Sequence, residues 1–315
     1  MTTPAGSAAS GYSVIAELGF ESEIHALRGH VDAWINRSDR EMQQALQWQF
    51  QGGSKYFRPL TVFSCYRAIY CGEIPPELIR SAAVVEMFHN VSLIIDDILD
   101  RSEHRRGVLT LHAHLGLLPA LMASGYIVAD GYEMVQNDPH DIRLFAELLK
   151  RLGVAECLQW RLRRQPLGVE DWRRIASEDT GSMFEVCACL GTRTEELRWF
   201  GQLLGVLYHG CDDVGDVRGS QALGGGGDED LRDGILTLPA ALALRAPHVA
   251  AIFSQVDPGA ADLQTLAGAF RSELPEAERY LDTIAAECTL EAQRHSPNPE
   301  PLLALIAHTR RLSQR

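Results

Sequence analysis

Apolar residues recur along this chain at steps of three and four, and the strict alternation of a half-buried strand is nearly absent. Between residues 79 and 99, Ala83, Val84, Met87, Phe88, Val91, Ile94, Ile95 and Ile98 follow the helical spacing. The same period runs through residues 142–152, 183–190, 197–208 and 280–290. The pattern predicts an all-α protein. Breakers divide the helices at Gly52-Gly53, at Cys71-Gly72 followed by Pro75-Pro76, at Asn137-Asp138-Pro139 and at the run Gly224 to Gly227. None of them reads as a linker between domains, and no repeat of solenoid length is present. Residues 21–315 are therefore expected to form one domain behind a disordered segment over residues 1–20.

Composition narrows the class. A chain of 315 residues can bury a core without disulfides or a structural metal. The 42 Asp+Glu against 29 Lys+Arg give a net charge of -13, which argues against a nucleic-acid partner, whose binding depends on cationic contacts to phosphate. Seven cysteines with no CxxC pair read as reduced thiols of an intracellular protein, and Cys187 and Cys189 in their apolar run suit packing. The first residues have neither the basic start nor the apolar core of a signal peptide. The most apolar stretch free of charges and histidines, residues 115–129, is shorter than the ~20 residues of a membrane span and holds Pro119. A cytoplasmic protein without stable membrane insertion is expected.

The acids are clustered where they carry a cost. Asp96-Asp97-Ile98-Leu99-Asp100 ends one apolar helix, and Asp212-Asp213-Val214-Gly215-Asp216 ends another 116 residues later. Positions i and i+4 share a helix face, so Asp96 projects with Asp100 and Asp212 with Asp216. Like charges this close, next to apolar surface, are unfavourable unless a cation lies between them. If the two helices face each other, the clusters form a cage of hard oxygen ligands that suits Mg²⁺, which commonly shares its coordination with phosphate. The implied ligand is a diphosphate. Lys55 and Arg58 in Gly53-Ser54-Lys55-Tyr56-Phe57-Arg58-Pro59, and Arg105-Arg106 after the first cluster, supply cations for its oxygens. His89 stands two helical turns before Asp96, on the same face.

These residues, in this order, resemble the trans-isoprenyl (polyprenyl) diphosphate synthase family. The segment Gly53 to Pro59 is similar to its GGKxxRP, with Ser54 in place of a glycine. The two acidic clusters, with Arg105-Arg106-Gly107 after the first, are similar to its two aspartate-rich motifs. Asp230-Leu231-Arg232-Asp233-Gly234 with Thr237-Leu238-Pro239 is similar to its DLxxGKxTLP. The resemblance implies a single-domain isoprenoid-synthase helical bundle around a central cavity, usually a homodimer. It further implies that three Mg²⁺ ions held by Asp96, Asp100 and Asp212, supported by Asp97, Asp213 and Asp216, draw pyrophosphate from an allylic diphosphate. Lys55, Arg58, His89 and Arg106 would hold isopentenyl diphosphate, with Arg105 and Thr180 on the allylic side. Val91, where a bulky aromatic would stop growth at farnesyl length, leaves the cavity open. Phe88, about 12 Å deeper at ~1.5 Å per residue, would form its floor. The run from Phe88 to Asp97 is most similar to geranylgeranyl diphosphate synthases, and a C20 product is expected.

The allylic side departs from the family pattern. The family's KTG is Asp179-Thr180-Gly181 here, the Lys of DLxxGKxTLP is Ile235, its GK falls in the lysine-free run Gly224 to Gly227, and the Gln before the second cluster is His209. Three missing positive charges are expected to weaken the grip on the allylic diphosphate. Arg218 and Arg232 are near enough in sequence to compensate, or are solvated loop cations. Two alternatives follow: a class I terpene synthase that ionises and cyclises a prenyl diphosphate, and a non-catalytic subunit of a heteromeric synthase. The first has no use for Lys55, Arg58, His89 and Arg106, and the second no use for six intact acids.

Overall fold

The computed structural model describes residues 14–51, 54–105, 107–219 and 227–314. Gly53, Arg106 and the glycine run through Gly226 lie outside the described residues, as do residues 1–13. Order begins earlier than residue 21: residues 14–18 form a helical turn, and Val14, Ile15 and Phe20 are buried. The described residues fall into two compact units, one up to Ala146 together with Cys187–Glu195, the other Glu147–Val186 together with those from Glu196 onward.

The first unit is built from α1 (Glu21–Arg37), α2 (Arg40–Phe50), α3 (Phe57–Tyr70), α4 (Pro76–Leu99), α5 (Leu111–Leu115), α6 (Leu117–Met134) and the start of α7 (Pro139–Leu162). Local chemistry sets the boundaries. Asp39 caps α2 by accepting from the Glu41 N–H at 3.0 Å, and Pro76 at the first position of α4 needs no N–H partner. Among the described residues, α4 alone is long and apolar enough to cross a membrane, by length and composition. It is a core helix here, burying Val84, Val85, Met87, Phe88 and Ile94, and it carries the first acidic cluster on its last turn. The periodicity missed a two-stranded hairpin, β1 (His104–Arg105) with β2 (Val108–Leu109), because two-residue strands leave no alternation to read.

The second unit continues α7 and adds α8 (Val169–Ala176), a π-helical turn (Ser177–Gly181), most of α9 (Ser182–Thr192), and α10 (Arg198–Arg218). It closes with α11 (Gly227–Asp233), α12 (Leu238–Ala243), α13 (Pro247–Phe253), α14 (Ala260–Ser272), α15 (Leu274–His295) and α16 (Glu300–Arg310). The π turn lies directly on α10: a Cβ at Gly205 would come within 2.7 Å of Gly181 Cα and 2.8 Å of the Thr180 carbonyl. Buried Glu185 ties this unit together by accepting from Arg151 at 2.9 Å and from Arg198. Arg151 also reaches Glu178 at 3.1 Å. All seven cysteines are free thiols, and Cys187 and Cys189 are fully buried, as their apolar run predicts.

Candidate active site

In the first unit, α4 delivers Asp96 and Asp97 on its last turn, and Asp100 caps the helix with its N–H on the Asp96 carbonyl at 2.8 Å. The three carboxylates have different tasks. Asp97 is 3% exposed and accepts from Arg105 Nε at 2.7 Å. Burial raises the Asp97 carboxyl, against the opposing pull of Arg105. The arginine read as an allylic-side ligand therefore anchors the hairpin to the end of α4. Asp96 Oδ1 is buried without a hydrogen bond of its own, although the carboxylate interacts elsewhere.

The cationic group assembles beside the same helix. Ser54 Oγ accepts from the Tyr56 N–H at 3.1 Å, and Tyr56 takes a left-handed conformation, φ 54°, immediately before α3. Lys55 is buried, and Arg58 in the first turn of α3 lies 3.1 Å from His89 Nε2 on α4. Arg58 and His89, 31 residues apart in sequence, are thus one hydrogen-bonded pair. Deeper along α4, Val91 is 9% exposed and Phe88 is fully buried. Phe88 meets Phe145 edge-on at 5.2 Å and lies 5.6 Å from Tyr132. It occupies the space above Gly131, where a Cβ would stand 2.4 Å from the ring. Glycine is needed there for close approach, a role with no sequence signature.

The second cluster lies on α10, where His209, Asp212, Asp213 and Asp216 step by three and four along one face. Asp213 is buried, and its Oδ2 accepts two bonds of 2.8 Å, one from Trp172 Nε1 and one from the Leu238 backbone N–H. Burial raises this carboxyl, with His209, the Leu238 N–H and Trp172 opposing. The Leu238 contact gives the Thr237-Leu238-Pro239 motif a physical purpose: Thr237 caps α12, and the first N–H of that helix holds Asp213 in place. Trp172 carries no motif and was not legible beforehand. Asp212 Oδ1 and Asp216 Oδ1 are buried without hydrogen bonds of their own, while both carboxylates have other interactions.

The departures at Asp179 and His209 meet. His209 Nδ1 lies 3.0 Å from Thr180 Oγ1 and 3.4 Å from Asp179 Oδ2, and its Nε2 lies 3.8 Å from Asp213 Oδ1. Burial pulls the imidazole down, but Asp213 and Asp179 outweigh it and raise the pKa to about 9. The two arginines considered as compensation are engaged elsewhere. Arg218 pairs with Glu278 at 2.8 Å, and Arg232 pairs with Asp233 at 3.0 Å.

The donor set fits magnesium. All six aspartates offer hard oxygens, and within each cluster one of them, Asp97 or Asp213, is already committed to internal bonds. A separate grouping of Asp138, His140 and Asp141 has the proximity of metal ligands. Its cation is already present: Arg193 bonds Asp138 at 2.8 Å and Asp141 at 2.6 Å.

Residues 39–264 match the polyprenyl synthetase family model. The chain is 28% identical over 232 residues to the nonaprenyl diphosphate synthase of Mycobacterium tuberculosis, covering 68% of this chain and 67% of that protein. It is 26% identical over 238 residues to the geranylgeranyl diphosphate synthase of Methanosarcina mazei, covering 69% and 73%. Among solved structures, the heptaprenyl diphosphate synthase of Staphylococcus aureus superimposes with a TM-score of 0.84 at 20% identity, over 93% of this chain and 98% of that one. These three are diphosphate synthases, and the terpene-cyclase reading finds no support among them. Their products range from geranylgeranyl to nonaprenyl, so the names do not select a chain length.

Proposed function

The chain belongs to the polyprenyl synthetase family of prenyltransferases, and from that premise we propose that it condenses an allylic diphosphate with isopentenyl diphosphate. Asp96, Asp100, Asp212 and Asp216 would hold the magnesium, in three ions. When bound, the metal neutralises charge that develops on the departing diphosphate. Lys55, Arg58 and His89 bind the diphosphate of the isopentenyl unit. The Arg58–His89 pair fixes both side chains before substrate arrives, so less ordering is required on binding. Asp97 and Arg105 lock the hairpin against α4 and so set the position of Asp96 and Asp100.

A C20 product is supported by the small Val91 near the acids and by Phe88 packed over Gly131 deeper along the same helix. A homodimer is supported by the start of α6, where Leu117, Leu118, Leu121 and Met122 expose 40–69% of their surface on adjacent positions.

The observation that carries the elongation reading is the Arg58–His89 contact at 3.1 Å, since an enzyme that used only an allylic diphosphate would not need this second cationic group. Arg58→Ala is expected to raise KM for isopentenyl diphosphate about tenfold or more, as for a lost charge-assisted bond to phosphate, and to leave KM for the allylic substrate within about twofold. Equal loss for both substrates in steady-state kinetics would remove the assignment.

A further inference from the structure

At the second acidic cluster, two residues that look like losses when taken singly, Asp179 and His209, are brought together. His209 precedes Asp212, Asp213 and Asp216 on the same face of α10. Opposite it, the π turn carries Asp179 and Thr180, and its backbone lies close against α10, where a Cβ at Gly205 would come within 2.8 Å of the Thr180 carbonyl. π turns are rare and occur frequently at functional sites, and here one carries a carboxylate and a hydroxyl that meet one imidazole nitrogen. Thr180 Oγ1 donates to Asp179 Oδ2 at 3.1 Å, so the two oxygens are themselves tied together.

The two imidazole nitrogens differ in what they meet. Nδ1 is held by Thr180 at 3.0 Å and faces Asp179 at 3.4 Å. Nε2 has Asp213 Oδ1 at 3.8 Å, beyond hydrogen-bonding length, and Asp213 is kept in place through its other oxygen by Trp172 and Leu238. The imidazole is therefore clamped at Nδ1, lies between the carboxylates of Asp179 and Asp213, and has at Nε2 no partner at hydrogen-bond length among the described residues. A bound diphosphate there would accept the Nε2 N–H as a charge-assisted bond.

We propose that His209, oriented by Asp179 and Thr180, is a diphosphate-binding residue at the second acidic cluster, supplying the cation that the lysine-poor allylic side lacks. This rests on the reading of the protein as a prenyl diphosphate synthase, but it concerns the diphosphate group alone. Asp179 is then a positioning residue, which explains how an acid can stand beside an anion-binding site.

Calorimetric titration of the full-length protein with inorganic pyrophosphate in excess Mg²⁺ tests this without turnover. His209→Gln is expected to weaken pyrophosphate binding about tenfold or more, while His209→Lys, which restores a cation, stays within about threefold of wild type. Asp179→Asn is expected to lose less than His209→Gln, because Asp213 still faces the imidazole. Binding by His209→Gln within twofold of wild type overturns the proposal, as does an equal loss in His209→Lys. If a variant does not fold, the crystal structure of the wild-type protein with Mg²⁺ and pyrophosphate decides. Nε2 at ordinary hydrogen-bond length from a phosphate oxygen supports the assignment, and its remaining beyond about 4 Å from all of them refutes it. A wild type that binds pyrophosphate through His209 yet never consumes isopentenyl diphosphate leaves this assignment standing and removes the proposed condensation.

Discussion

Six aspartates that look equivalent in the sequence divide, side chain by side chain, into two groups. Asp97 and Asp213 turn inward to structural donors, Arg105 in one case and Trp172 with the Leu238 N–H in the other. Spacing alone could not separate them from their neighbours, because the separation depends on partners distant in sequence. His209 shows the same limit: its position in the sequence marks a departure, and only the fold shows Asp179 beside it. The pair has a consequence for stability. An imidazole raised from 6.5 to about 9 binds its proton more tightly in the folded state. It therefore contributes stability that is full below pH 6.5 and is lost as pH rises through 9, roughly 3 kcal/mol by linkage. Urea midpoints of the metal-free protein at pH 6 and pH 10 are expected to fall further for wild type than for His209→Gln. An identical fall in both would contradict the coupling.

The helices were largely legible, because a 3.6-residue apolar period is a property of each segment by itself. α4, α7, α9 and α15 contain the periodic stretches from which they are predicted, and α10 begins one residue into its own, with Leu197 as its N-cap. What was not legible depends on contact between elements. The hairpin after α4 is too short for a pattern, and the π turn is an adjustment of one helix to another. Gly205 fixes that adjustment, since any side chain there meets backbone and cannot be accommodated by a rotamer change. Gly205→Ala is expected to destabilise the protein by about 1–3 kcal/mol, the usual cost of overpacking. The measurement is the denaturant midpoint at constant m-value. A loss below about 0.5 kcal/mol, the ordinary range for unconstrained surface positions, would mean the two backbones are not held together as described.

For the molecule as a whole, the proposed function would reconcile an acidic chain with an anionic substrate through cations at three places: magnesium at the aspartates, Lys55 with the Arg58–His89 pair, and His209. The exposed leucines of α6 predict that the protein sediments at twice its 34.8 kDa chain mass, and that Leu118→Glu shifts it toward monomer. A wild-type protein that sediments as a monomer would leave that apolar face without its proposed occupant. Product analysis distinguishes elongation from ionisation of the allylic substrate alone. Purified protein with Mg²⁺ and farnesyl diphosphate is incubated with and without isopentenyl diphosphate, and the products are separated by length. The account predicts geranylgeranyl diphosphate, formed only when isopentenyl diphosphate is present and replaced by shorter products in Val91→Phe when shorter allylic starters are supplied. Hydrocarbons or alcohols released from farnesyl diphosphate alone, with isopentenyl diphosphate unconsumed, would contradict it.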